Sequence, residues 1–67
     1  MISIVVNGEP LEVEPEMTLA CLIEGRGLAP EEVAAEVNRS LVPRVTRGER
    51  MLMSGDRIEL VTLVGGG

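Results

Sequence analysis

The sequence predicts an α+β domain in which a hairpin is followed by one helix, a strand, a short strand and a last strand. Apolar residues occupy every second position on each side of an Asn-Gly pair in residues 2–14, and strand patterns return in residues 33–37 and 57–64. Between these segments, apolar residues recur at helical spacing in residues 18–26. A chain of 67 residues has room for one small hydrophobic core, so we expect one folded domain.

The predicted hairpin covers residues 2–14. Asn7 and Gly8 mark its turn, because a tight type I′ turn needs two residues that tolerate positive φ. Pro15 follows the return strand and ends it. The residues expected on the core-facing side are all apolar: Ile2, Ile4, Val6, Leu11 and Val13.

One short helix is predicted to begin after Thr18, whose hydroxyl suits an N-cap. Gly27 suits the left-handed residue that commonly ends a helix. Cys21 should be partly exposed, because it lies roughly opposite Leu19 on the helical wheel. The sequence has no His, Lys or second Cys to activate Cys21, so we interpret it as a tolerated small residue instead of a reactive thiol. The expected apolar stripe consists of Leu19, Leu22 and Ile23.

The segment after the helix predicts a full strand and a short one. Pro30, followed by two glutamates, favours a helical or 3₁₀ turn before a strand at residues 33–37. A turn at residues 38–40 leads to the apolar pair at 41–42, which Pro43 ends because proline cannot donate to a sheet.

The stretch at residues 43–53 is expected to be irregular, with Leu52 or Met53 filling the core. The Ser-Gly-Asp turn at residues 54–56 then leads into the last strand, predicted at residues 57–64.

This last strand is predicted to present an apolar patch on the open side of the sheet. If Ile58 and Leu60 face the helix, their neighbours on the strand must point away from it. Glu36, Glu59 and several arginines would surround the patch. Scattered surface apolar residues often have no role, but a continuous patch favours a docking surface. The expected partner-binding residues are Val5, Ala34, Val61 and Leu63.

The composition argues against an enzyme. Histidine and lysine are absent, so the usual general base, imidazole metal ligand and Schiff-base amine are all missing. We therefore expect no catalytic residue, no bound metal and no tightly bound cofactor.

The charge and the single cysteine narrow the class of protein further. A net charge of −5 argues against nucleic-acid binding. Residues 1–36 hold eight acids and one arginine (−7), whereas residues 37–67 hold three acids and five arginines (+2), a pattern that suits complementary protein partners or a solvated surface. With one cysteine, no signal peptide and no apolar stretch of membrane-spanning length, we expect a cytoplasmic monomer with no membrane association.

The sequence closes on VTLVGGG, where a strand pattern runs directly into three glycines. Glycine loses more conformational freedom on folding than any other residue, so residues 65–67 are predicted to form a flexible tail on a domain of residues 1–64. Fully extended, three residues reach about 10 Å beyond the sheet. The tail either reaches into a partner's site or is an idle terminus.

Four stretches of the sequence together resemble the ThiS family, the sulfur-carrier proteins of thiamine thiazole biosynthesis. They are VNGEP, TLACLIEGRGL, VAAEVNRSLVPR and SGDRIELVTLVGGG, and together they extend over essentially the whole chain. The resemblance implies a ubiquitin-like β-grasp fold: a mixed sheet of four to five strands with one main helix packed across it.

The resemblance also implies a role for the terminal glycines. In the family, a ThiF-like enzyme adenylates the terminal carboxylate with MgATP, and sulfur then displaces AMP to leave a thiocarboxylate. Gly67 would be the modified residue, with Gly65 and Gly66 as the rest of the tail. A cysteine desulfurase or another persulfide source would supply the sulfur, and a ThiG-like thiazole synthase would accept it. The protein would then be a co-substrate of these enzymes.

Other carriers would use the same terminus. The small subunit of molybdopterin synthase (MoaD-like) also ends in Gly-Gly on this fold, but it is usually longer and often has aromatic or proline-rich residues before the tail, which this chain lacks. A sulfur donor for tRNA thiolation and a ubiquitin-like protein modifier remain open as well. A pure binding module of this fold would not need the terminal glycines.

Overall fold

The computed structural model describes residues 1–63 and confirms the predicted α+β architecture. Residues 64–67 lie outside the described residues, and with them Gly65, Gly66, Gly67 and the predicted boundary of the tail. The strands are β1 (Ile2–Val6), β2 (Glu9–Val13), β3 (Val33–Val37), β4 (Ser40–Leu41) and β5 (Arg57–Thr62), and the α-helix is α1 (Leu19–Gly25). Two 3₁₀ helices are also present: Pro30–Glu32 and Arg44–Glu49.

The five strands form one mixed sheet in the order β2-β1-β5-β3-β4. β5 is the central strand, parallel to β1 and antiparallel to β3. The last strand of the fold therefore lies in the middle of the sheet, with a neighbour on each side.

Both tight turns of the sheet begin with an asparagine in the left-handed region. Asn7 and Gly8 have φ of 50° and 82°, as the predicted type I′ turn requires. Asn38 and Arg39 repeat this conformation between β3 and β4, with φ of 53° and 71°. Arg39 is a non-glycine residue at a position where glycine is preferred.

The helix packs its apolar stripe on one face of the sheet, as predicted. The Thr18 hydroxyl accepts a hydrogen bond from the Cys21 N–H at 3.2 Å and caps the first turn, and Gly27 follows the helix with φ of 75°. Leu52, not Met53, fills the core: Leu52 is 2% exposed and Met53 61%. The buried core consists of Ile4, Val6, Val13, Leu19, Leu22, Ile23, Val33, Ala35, Val37, Leu52, Ile58 and Leu60.

The prediction of irregular backbone over residues 43–53 is wrong in part, because a 3₁₀ helix occupies Arg44–Glu49. Its residue Arg47 is 5% exposed, the one buried arginine in the described part of the chain. A 3₁₀ helix of this length shows no apolar stripe that a sequence could reveal, since its side chains repeat every three residues and most of them are exposed.

Candidate functional site

The open face of the sheet, opposite α1, holds the residues that the sequence singled out. Along β5, buried Ile58 and Leu60 alternate with exposed Arg57, Glu59 and Val61. Because side chains on a strand point alternately to the two faces, the exposed set lies on the side away from the helix. The predicted division of β5 into a core side and an open side is confirmed.

Val61 and Ala34 lie side by side on this face, because they are directly paired between β5 and β3. Val61 is 57% exposed and Leu63 51%, whereas Ala34 is half-buried. The Leu63 N–H donates to the Glu32 carbonyl at 2.6 Å, so Leu63 still lies beside the residue that precedes β3. The structure thus brings together three of the four residues predicted to bind a partner.

Val5 lies apart from those three. It pairs with Pro10 on β2 and is level with Arg57 on β5. Arg57 and Val61 are four residues apart on one strand, a separation of about 13 Å. The open face therefore has two apolar parts with charged side chains between them, instead of one continuous patch. Partner binding by Val5, Ala34, Val61 or Leu63 stays a prediction.

A shallow cleft of about 360 Å³ occupies the charged region of this face. Glu36 and Glu59 are directly paired across β3 and β5. Like charges directly opposite each other destabilise a sheet, so the stability of the sheet does not explain this pair of glutamates. A face that combines both signs of charge with an apolar part suits a protein partner with complementary charges. The cleft is lined by Glu36, Asn38, Arg39, Arg57 and Glu59.

Asp56 supports the cleft from the buried side and is 6% exposed. Its carboxylate accepts hydrogen bonds from the Asn38 side-chain amide at 3.0 Å and from the Met53 N–H at 2.8 Å. Arg50 forms an ion pair with it at 3.3 Å. Asn38 in turn accepts a hydrogen bond from the Arg57 N–H at 3.0 Å, which holds the β3–β4 turn against the start of β5.

A second groove, of about 300 Å³, lies between α1 and β2 on the helix side of the sheet. Cys21 is a free, exposed thiol at its edge, as the sequence predicts. The groove also includes Arg26 and the apolar side chains of Leu11, Val13, Met17 and Leu22. It offers Cys21 no histidine or second thiol, since the sequence contains neither.

Residues 1–63 present neither a cluster of metal ligands nor a helix that could cross a membrane. No three His, Cys, Asp or Glu side chains in this range are placed to bind a metal ion together. None of the helices in the same range has the length and apolar character needed to cross a membrane.

The polar side chains that hold the open face in place were not predicted from the sequence. Asp56 lies in the predicted turn, and an aspartate there commonly accepts hydrogen bonds from nearby backbone N–H groups, which is a signal that could have identified it. Arg47 has no such signal, because nothing in its neighbourhood separates it from the other arginines of residues 37–67.

Residues 4–67 match the model of the ThiS family. Among curated proteins, the chain is 47% identical over 62 residues to a thiazole synthase of Magnetococcus marinus, covering 92% of this chain and 19% of that protein. The chain thus spans about a fifth of the length of this relative. It is also 33% identical over 66 residues to the uncharacterized protein ycf40 of Porphyra purpurea, covering 98% of this chain and 93% of that one.

Among solved structures, the chain is similar to the crystal structure of a thiamine biosynthesis protein (ThiS) from Geobacter metallireducens. The TM-score is 0.83 at 26% sequence identity, and the match covers 98% of this chain and all of the other. This similarity confirms the β-grasp prediction. The family match extends over nearly the whole chain and the structural similarity agrees with it, so the chain belongs to the ThiS family.

Proposed function

We propose that this chain is a sulfur carrier of thiamine biosynthesis and that the carboxylate of Gly67 is its reacting group. The observation that supports this most directly is the ThiS family match, which runs through residue 67 and so includes all three glycines. The whole-chain similarity to the Geobacter ThiS protein supports the same assignment.

The proposed chemistry follows from the low reactivity of an ionised carboxylate, which is a poor electrophile. A ThiF-like partner would direct a Gly67 carboxylate oxygen to the α-phosphorus of ATP, with pyrophosphate as the leaving group. A sulfur nucleophile then attacks the carbonyl carbon of the acyl adenylate, and AMP leaves. Hydrosulfide yields the thiocarboxylate directly, whereas a persulfide yields an acyl disulfide that a thiol must reduce.

The chain's own residues would dock the carrier and deliver its terminus. Ala34, Val61 and Leu63 form the apolar part of the open face nearest to where β5 leads towards the tail. Burying half-exposed apolar side chains of this kind against a partner excludes water from the core of an interface. Glycine adds no side chain that would shield the carbonyl carbon or widen the tail, so Gly65–Gly67 suit a narrow channel.

Thiazole synthase is the proposed sulfur acceptor. In the Magnetococcus marinus protein and in one from Paramagnetospirillum magneticum, a segment similar to this chain belongs to a longer protein named thiazole synthase. We propose that this chain acts with a thiazole synthase, as a co-substrate in the cytoplasm and not as an enzyme. ATP and the sulfur source would be bound by the activating partner.

The identity of the sulfur acceptor is tested with a carrier that has first been converted to the thiocarboxylate. The loaded carrier is offered to a thiazole synthase with its other substrates and, separately, to the large subunit of a molybdopterin synthase. Intact-mass spectrometry follows the return of the carrier to its carboxylate form. We expect sulfur loss with thiazole synthase; loss only with the molybdopterin enzyme would contradict the proposed pathway and favour the MoaD-like alternative.

A further inference from the structure

Arg47 is a buried cation, and its guanidinium donates to two backbone carbonyls in the described part of the chain. It is 5% exposed; Nη1 donates to the Pro30 carbonyl at 3.0 Å and Nη2 to the Val33 carbonyl at 2.6 Å. No carboxylate forms an ion pair with it within residues 1–63, and its Nε has no hydrogen-bond partner there. Burying a guanidinium without a carboxylate partner costs free energy. This cost points to a functional role for the backbone segment that the guanidinium holds.

Those two carbonyls lie on either side of Glu32. The Glu32 carbonyl is the acceptor for the Leu63 N–H, at 2.6 Å, and the next residue, Val33, is paired with Thr62. Arg47 thus holds the backbone on both sides of Glu32, whose carbonyl accepts the hydrogen bond from Leu63. It does so from the second 3₁₀ helix, across 14 residues of sequence from Val33.

We propose that Arg47 is a positioning residue, which sets the place and direction in which the chain leaves the sheet towards residues 64–67. Its link to activity rests on the proposed function, because direction matters only if Gly67 must enter a partner's site. The cost of burying Arg47 is then explained by a fixed position for the end of β5, held through the hydrogen bond from Leu63 to the Glu32 carbonyl.

The structural part of the proposal is tested by amide hydrogen exchange on the full chain. Arg47→Met removes both hydrogen bonds with little loss of volume, and Arg47→Lys keeps the charge but cannot bond both carbonyls as the fork does. The control is Val13→Ala, a core truncation on the far edge strand β2. If Arg47→Met does not fold, the lysine variant serves alone.

We expect Arg47→Met to speed exchange of the Leu63 amide at least about tenfold more than that of the Ile4 amide in β1, because the end of β5 opens locally. Val13→Ala should not raise the Leu63 rate selectively. Equal acceleration of both amides by Arg47→Met would show a general loss of stability and would overturn the proposal.

The functional part is tested by adenylation with a ThiF-like enzyme, comparing Arg47→Met with Val13→Ala. We expect kcat/KM to fall at least about tenfold in the arginine variant and much less in the control. Equal values for the two variants would overturn the positioning role. If the unmodified chain is not adenylated at all, the proposed function fails, while the exchange result still decides whether Arg47 holds the end of β5.

Discussion

Asn7 and Leu60, 53 residues apart in the sequence, are joined by two hydrogen bonds. The Leu60 N–H donates to Asn7 Oδ1 at 2.8 Å, and Asn7 Nδ2 donates to the Leu60 carbonyl at 3.3 Å. β1 ends at Val6. Beyond it, the side-chain amide of Asn7 bonds to Leu60 as a backbone amide of a longer β1 would. The parallel pairing of β1 with β5 is continued by one side chain.

Replacing Asn7 by glycine tests this pairing, because glycine keeps the positive φ of the turn and removes only the amide. We expect the free energy of unfolding to fall by about 1–2 kcal/mol, since two polar groups of Leu60 lose their partner in a partly buried position. Urea denaturation measures the change. Asn7→Asp, which keeps the acceptor oxygen, should lose less; equal stability of Asn7→Gly and the unmodified chain would contradict the assignment.

Arg39→Gly should stabilise the protein. Arg39 has φ of 71°, in the left-handed region where a residue with a Cβ is strained, so we expect a gain of about 0.5–1 kcal/mol. The matched change in the other turn is Gly8→Ala at φ of 82°, which should destabilise by about 1 kcal/mol. Urea midpoints at constant m-value measure both changes. A loss of stability in Arg39→Gly would show that the interactions of the Arg39 side chain stabilise the protein by more than the backbone strain destabilises it.

Asp56→Ala should be among the more damaging single substitutions outside the apolar core. It leaves the Asn38 amide and the Met53 N–H without their acceptor, so we expect a loss of about 2–3 kcal/mol. Arg50→Gln removes the ion pair and the Arg50 hydrogen bond to the Met51 carbonyl, both made by a side chain that is 32% exposed, and should cost less than about 1 kcal/mol. Thermal or urea unfolding measures the two variants; equal losses would mean that the ion pair dominates.

Val61→Asp should leave the fold intact and weaken docking to the activating enzyme. The side chain is 57% exposed, so its replacement disturbs no core packing, while a charge at the apolar part of the open face opposes its burial by a partner. We expect the apparent KM for the carrier in adenylation to rise about tenfold, with an unchanged circular dichroism spectrum.

Val45→Asp is the matched control for that substitution, since Val45 is 86% exposed and lies in the second 3₁₀ helix, away from β5. It should leave the apparent KM unchanged. An unchanged KM for Val61→Asp, or an equal rise for both variants, would rule out the open face as the specific docking surface.

The elements of the fold were predictable because their signals are local. Asn7-Gly8 specifies a tight turn, Thr18 caps the helix, and the two-residue period along residues 33–37 and 57–61 separates the core side from the open side. Each of these signals depends on neighbouring residues alone.

The separation of Val5 from Val61 was not predictable in the same way. It depends on the register between β1 and β5, two parallel strands that are far apart in sequence and share no turn that would fix their alignment. The role of Arg47 was hidden for a similar reason, because its partners belong to another segment and are backbone carbonyls, which every residue has.

The measurement that tests the central proposal most directly is the intact mass of the full chain after incubation with a ThiF-like enzyme, MgATP, a persulfide source and a thiol reductant. We expect a gain of about 16 Da, as one oxygen of Gly67 is replaced by sulfur. Deleting Gly67, or adding an alanine after it, should abolish the gain, whereas Cys21→Ser should load normally. Sulfur found on Cys21, with the truncated chain still gaining mass, would contradict the proposed carrier chemistry.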